Sequence, residues 1–262
     1  MNYQLPLKLG LFFCPQLITA SSQPCVPECS VPILTCHNSM REYPTLQLLE
    51  DIARALTPEA FDAAGMKPLA DFDSLNTSIL EEHGTILACR AGCSICCSLR
   101  VDTFAHEIFL MARHIRARFS PEATGALLAR LESHSAKVTQ MTPFAHAITN
   151  LQCAMLVDGR CSVYSVRPHS CRRHHSTDVA ACQFTYDHPT DLETPAAHDR
   201  DLFRALTEAM RQNIEAYAEL GYDHTFYELG SALHEALTDP AAWDRWQAKE
   251  TAFLSASVTP SE

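Results

Sequence analysis

Phe104-Ala-His-Glu-Ile108-Phe-Leu-Met111-Ala-Arg-His-Ile115-Arg-Ala-Arg-Phe119 is the stretch that decides the fold. Its residues Phe104, Ile108, Met111, Ile115 and Phe119 recur at i, i+4, i+7, i+11 and i+15, the rhythm of one buried helical face. Helical signals continue on both sides. Ser120-Pro121-Glu122 supplies an N-cap, a first-turn proline and an acidic first turn for a helix running to about Lys137, and Thr57-Pro58-Glu59 repeats the device upstream. Asp239-Pro240 opens a helix carrying Trp243 and Trp246. Phe203, Leu206, Met210, Ile214 and Tyr217 predict another, stopped at Gly221. With 8 glycines in 262 residues, and Ala, Leu and Glu frequent, the expected class is mainly α.

Immediately before the deciding helix the pattern gives way to cysteine. The chain has 12 cysteines, none after Cys182, and they are bunched, whereas a secreted disulfide scaffold is normally small and spreads its bridges along the chain. Metal ligation is the better reading. The first block, Cys89-Arg-Ala-Gly-Cys93-Ser-Ile-Cys96-Cys97, places four thiols within nine positions. A helix would gather them on one face, at about 100° per residue; a loop turning at Gly92 would aim them at one centre. The second block holds Cys153, Cys161 and Cys171, with Cys182 beyond. Asp158-Gly159 is a turn signal that predicts a small hairpin bringing Cys153 beside Cys161. Val166-Arg167-Pro168 forces an extended or turning segment ahead of Cys171.

Soft thiolates select zinc, copper(I) or iron–sulphur clusters over magnesium or calcium. Eight of them make two four-cysteine sites, or one cluster with spare sulfurs. The expected ligands are Cys89, Cys93, Cys96, Cys97, Cys153, Cys161, Cys171 and Cys182, holding an iron–sulphur cluster (4Fe-4S) or iron, alternatively zinc. Arg167 and Arg172, in a basic run with Arg173, His169, His174 and His175, are expected to offset the negative charge of a thiolate-bound centre as cofactor-binding residues. The histidines stay off the ligand list. The C-x3-C-x2-C spacing also matches the cluster loop of radical S-adenosylmethionine enzymes, but helices surround it and no alternating βα units follow. A Cys96–Cys97 disulfide switch would close a strained ring.

The net charge of -11 argues against nucleic acid and anionic membranes as partners. No run approaches the roughly 20 apolar residues that span a bilayer. The expected location is cytoplasmic. The first 25 residues bear a faint likeness to a secretory signal, interrupted by Pro15 and lacking a small-residue cleavage site. Residues 1–39, with Cys14, Cys25, Cys29 and Cys36, form an atypical, poorly ordered segment by composition. Residues 40–190 are expected to form the cysteine-cluster metal-binding domain and 191–262 a C-terminal helical region packing on it, with 188–195 as the linker. The whole reads as an irregular helical cysteine-cluster domain with a small β-hairpin or extended metal-binding segment, plus flanking helices. Phosphate-cradling and dinucleotide motifs and a Ser-His-Asp order are missing.

The sequence resembles the YkgJ-like cysteine-cluster family, described as zinc- or iron-chelating and named for CxxCxxCC. Gly92-Cys93-Ser94-Ile95-Cys96-Cys97 fits the end of that motif. Gly159-Arg160-Cys161-Ser162-Val163-Tyr164-Ser165-Val166-Arg167-Pro168-His169-Ser170-Cys171-Arg172 looks like the family's GxCxVYxxRPxxCR block. Cys153 and Cys182 fall where the resemblance implies further cysteines; Cys89 departs, three residues before Cys93 instead of two. The family includes a branch resembling flagellin lysine methylases associated with an iron–sulphur cluster. Two functions compete: a metal-chelating protein whose cluster or iron supports redox or radical chemistry on a protein substrate, and a zinc-stapled structural or interaction module without catalysis.

Overall fold

The computed structural model describes residues 58–258, and side chains from residue 60. The readings of residues 1–39, of the helical pattern from Tyr43 and of the Thr57 cap lie outside the described residues.

The chain runs α1 (Pro58–His83), β1 (Asp102–Thr103), α2 (Ala105–Arg118), α3 (Pro121–Val138), α4 (Pro143–Ala147), β2 (Leu156–Val157), β3 (Arg160–Cys161), α5 (His169–Arg173), α6 (Val179–Asp187), α7 (Arg200–Glu219), β4 (Tyr227–Glu228), α8 (Leu229–Thr238) and α9 (Ala242–Gln247). It is mainly α, with two short antiparallel strand pairs, β1–β4 and β2–β3, among the described residues.

The deciding helix forms as its pattern requires. Phe104, Ile108, Met111 and Ile115 are all buried, and Ala105, Phe109 and Ala112 are buried as well, so α2 is covered on nearly every side. It packs against α8 and α1, while α3 packs on α8 through a stripe of Leu127, Leu131, His134 and Val138. The Ser120 hydroxyl caps α3 by accepting from the Ala123 amide at 3.2 Å. Aromatic rings close this core: Trp246 stacks on Tyr222 at 4.6 Å and meets Phe61 and Phe109 at 5.4 Å each. A second, smaller core joins Phe72 of α1 to Leu202, Leu206, Ala209 and Met210 of α7.

Two expectations shift by a residue or two. The buried face of α7 starts at Leu202, and Phe203 is half-buried, with the Arg173 guanidinium 4.6 Å above its ring. The last helix starts at Ala242, because the Asp239 carboxylate accepts from the Ala241 amide at 2.9 Å and holds a turn ahead of it. Gly221, at φ +80°, ends α7 as expected. No described helix is long and apolar enough to cross a membrane.

Candidate metal centre

Between α1 and β1 the first cysteine block is irregular. The loop alternative is realised: Gly92 sits at φ +85°, the Cys93 amide donates to the Arg90 carbonyl at 3.0 Å, and Cys96 and Cys97 lie on one 3₁₀ turn, Ile95–Ser98. Backbone bonds stitch this loop to the second block. The Cys153 amide donates to the Cys97 carbonyl at 2.7 Å, Leu151 to Ser98 at 3.1 Å, and Ala88 to Ser176 at 2.8 Å. Cysteines far apart in sequence are thus drawn together by main chain.

The second block turns where its sequence demands. Asp158 and Gly159 both take positive φ (49° and 72°), as a type I′ hairpin requires, and Leu156 pairs with Cys161. The tip meets the other tight turn, since a Cβ on Gly159 would lie 3.9 Å from the Gly92 carbonyl. A 3₁₀ turn at Tyr164–Val166 and an extended Arg167 lead into α5, which carries Cys171, and Cys182 lies on α6, capped by Asp178.

All eight predicted cysteines are free thiols, Cys89 exposed and the other seven half-buried. Their mutual electrostatics divides them. Burial, then the charges of Cys153, Cys161 and Cys97, push the Cys171 thiol well up, while Arg167 opposes. Burial lifts Cys153 to about 12, with Cys97 and Cys161 adding. Cys161 is raised by burial and again feels Cys97 and Arg167. Cys97, Cys153, Cys161 and Cys171 are therefore within electrostatic reach of one another, while among the described residues no three thiols bring their sulfurs within 4.8 Å of each other. Cys89, raised by partial loss of solvent and held back by the Ser176 carbonyl, feels Cys182 and Cys93 instead. Cys96 belongs to both: its hydrogen bond with Cys97 and its burial push it up, and it feels Cys171 and Cys89 as well. Burial raises Cys89, Cys153, Cys161 and Cys171 and neighbouring thiols add to it, whereas the hydrogen bond with Cys96 lowers Cys97 to about 7; a soft cation would favour the thiolate at each of them.

The two arginines separate. Arg167 lies over the Tyr164 ring at 3.7 Å and its charge reaches Cys161 and Cys171. The Arg172 guanidinium is instead spread over the Ser165 carbonyl at 2.6 Å, the Arg167 carbonyl at 2.9 Å and Asp73 of α1, and so braces the loop.

A buried residue that the sequence reading missed holds α5 in place. The Glu107 carboxylate accepts from both the amide and Nδ1 of His169 at 2.7 Å, and from the Thr103 hydroxyl at 2.5 Å. Burial pushes this carboxyl up, but the hydrogen bonds and charge of His169 outweigh it and keep it near about 2. His169 is two positions before Cys171, so Glu107 positions the helix that presents that thiol. A carboxylate at the fourth position of an apolar stretch, Phe104 to Ile108, was the available signal.

A second missed group is not made of cysteines. The ligand atoms of His134, His146 and Glu228, all buried, lie within 4.8 Å of one another. His134 Nε2 is 2.9 Å from Glu228 Oε1. Burial first, then the hydrogen bond and charge of His134 working against it, leave the Glu228 carboxyl at about 2, and burial lowers His146 to about 4. Cys153 feels the Glu228 charge, so the two sets are neighbours.

A cleft of about 910 Å³, open to solvent, runs past the cysteines and is lined by Cys96, Cys182, Arg100, Ala147, His174 and Tyr186 among others. Burial, with the charges of His175 and Arg173, lowers the His174 imidazole to about 4, so a neutral base faces this space.

Free thiols gathered on loops of a helical scaffold describe a class, the cysteine-cluster chelating domains. Residues 88–189 match the model of one such family, CxxCxxCC, "Putative zinc- or iron-chelating domain". No significant match is found among curated proteins or solved structures.

Proposed function

We propose that the chain is a metalloprotein in which Cys97, Cys153, Cys161 and Cys171 hold an iron–sulphur cluster or iron, and Cys89, Cys93, Cys96 and Cys182 complete a second thiol set at the cleft. What supports this reading is main-chain geometry: the Cys153 amide ties its strand to the Cys97 loop at 2.7 Å, the hairpin seats Cys161 opposite Leu156, and Cys96 and Cys182 share the cleft wall. When bound, such a centre would supply electron transfer, and the cleft beside Cys96 and Cys182 is where a protein side chain would enter as substrate. The chain's own residues do the rest: Arg167 offsets thiolate charge, Glu107 fixes α5 through His169, and Arg172 braces the loop between them.

A zinc-stapled module is the second reading. The observation in its favour is that Cys153, Cys161 and Cys171 pack against the main hydrophobic core, where a closed tetrahedral site would join the loops to the helices.

Elemental analysis and a visible spectrum of anaerobically purified protein, with Cys93→Ser and Cys171→Ser, test both readings. Brown protein with iron and inorganic sulfide, losing its absorption in Cys171→Ser, supports the cluster. Colourless protein with stoichiometric zinc supports the staple. Full metal content retained in both variants overturns the thiol centre altogether.

A further inference from the structure

Glu228 is the N-cap of α8, and its carboxylate is fixed before any ligand arrives. Oε1 accepts from the Gly230 amide at 3.0 Å; Oε2 accepts from the Ser231 amide at 2.7 Å and the Ser231 hydroxyl at 2.8 Å. The β1–β4 pairing, Asp102 opposite Glu228, sets its position relative to the cysteine loop. His134 reaches it from α3 and His146 from α4.

Two details are poorly explained by packing alone. His134 Nδ1 is buried without a hydrogen-bond partner, an arrangement that costs about 1–3 kcal/mol for a polar atom removed from water. Gly230 is pressed against the same ring: a Cβ there would lie 2.7 Å from His134 Nε2 and closer still to Cδ2, so only glycine lets the imidazole approach the carboxylate. Arg100, 3.4 Å from His146 Nδ1, is turned to Asp102 through Nε at 3.0 Å and Nη2 at 2.7 Å. The guanidinium charge is thereby taken up by Asp102, beside the imidazoles.

We propose that His134, His146 and Glu228 form a separate site for a divalent transition cation, zinc or ferrous iron, bound through nitrogen and oxygen next to the thiol centre. Two imidazoles and one carboxylate are a donor set that zinc and iron(II) accept, with a remaining position for water or another ligand. A bound cation would take a lone pair from each ring and the carboxylate, replacing the His134 Nε2–Glu228 hydrogen bond; Nδ1 of His134 is not the donor and would carry the ring's proton. Arg100 and Ala147 both line the cleft, and Ala147 follows His146 directly, so the group stands just behind the cleft wall.

The two sites differ in softness, which makes them separable with cobalt(II) as the probe. Full-length protein stripped with chelator under anaerobic conditions is titrated with cobalt(II); thiolate ligation gives intense charge-transfer absorption, and nitrogen–oxygen ligation gives only weak ligand-field bands. Wild type is expected to bind one equivalent more than either Glu228→Gln or His146→Asn, with charge-transfer absorption unchanged. Cys171→Ser is expected to show the reverse, losing charge transfer and keeping the ligand-field bands. Wild type that shows no charge-transfer absorption while still binding the ligand-field equivalent sinks only the thiol reading. Equal cobalt stoichiometry in wild type and both imidazole–carboxylate variants overturns this site and leaves the group a hydrogen-bonded core contact. Circular dichroism melts accompany each variant; because Glu228→Gln weakens a helix cap, His146→Asn decides if that variant does not fold.

Discussion

The thiol centre and the imidazole–carboxylate group are neighbours built by opposite means. The thiols stand mostly on loops, 3₁₀ turns and the short helices α5 and α6, brought together from positions 89 to 182 by a few main-chain bonds and opposed by mutual repulsion. His134, His146 and Glu228 stand on α3, α4 and the cap of α8, elements anchored in the helical core. The contrast predicts a thiol centre that needs its ligand to hold its shape beside a group that folding assembles. Four hydrophobes-in-waiting can pack without metal; four thiolates cannot stay charged together without one.

Removing metal from the thiol centre gives the largest effect. Structural metal sites contribute on the order of 10 kcal/mol to the segments they organise. With chelator, amide exchange is expected to accelerate strongly over 86–100 and 151–163, while α2, α3 and α8 keep their protection. Equal acceleration in both regions breaks the comparison, because the loops would then be part of one cooperative unit with the bundle.

Glu107→Gln comes next. It leaves the buried His169 without its anionic partner, and breaking such a pair costs about 3–5 kcal/mol. Thermal or urea unfolding measures that loss. Because His169 is carried on α5, Cys171 should also react faster with a thiol reagent in this variant, while Cys89, already exposed, should not change. A uniform rise in reactivity of all eight thiols would mean that Glu107 serves the whole fold and not one ligand-bearing helix.

What was legible in the sequence follows the same division. Helix α2 could be read from Phe104 to Ile115 because burial on a helix leaves a local period, and the Asp158-Gly159 turn because two successive positive φ angles need those residue types. The thiols were legible because soft ligands are rare and were bunched. His134 and Glu228 were not, because 94 residues separate them and a lone histidine on an apolar stripe reads as packing. Among the described residues, the packing of α3 on α8 brings the two together. Phe203 was misplaced by one residue for a related reason: the face that α7 turns to α1 and α5 is buried from Leu202, and Phe203 at its edge meets Arg173 at the end of α5 and His198.

Acid probes the scaffold from the other side. His106 is buried against Tyr217, 3.9 Å between ring centroids, with Nε2 3.0 Å from Asn213 Oδ1, and burial lowers it to about 4. Its unfolded value is about 6.5, so between those limits the unfolded chain binds the proton and the folded one does not; stability falls as pH falls through this window. The full shift amounts to about 3 kcal/mol. His106→Gln should flatten the dependence of unfolding free energy on pH between 6.5 and 4 by that amount, measured by urea denaturation. An unchanged slope would place the acid sensitivity in the imidazoles near the centres instead of in the scaffold.

The smallest change sharpens the comparison most directly. Gly159 holds φ +72° at the hairpin tip, and a Cβ there meets only the Gly92 carbonyl at 3.9 Å, an ordinary contact, so Gly159→Ala adds backbone strain without a clash. A left-handed alanine costs about 1–2 kcal/mol. If the thiol loops are held apart from the bundle, that strain is spent locally: exchange should quicken between Cys153 and Val163, metal affinity of the thiol centre should drop by about tenfold, following about 1.4 kcal/mol per decade, and global melting should barely move. A fall in melting temperature matching that of Glu107→Gln would instead make hairpin and helices a single cooperative structure, and the difference between a ligand-held and a fold-held centre would not survive it.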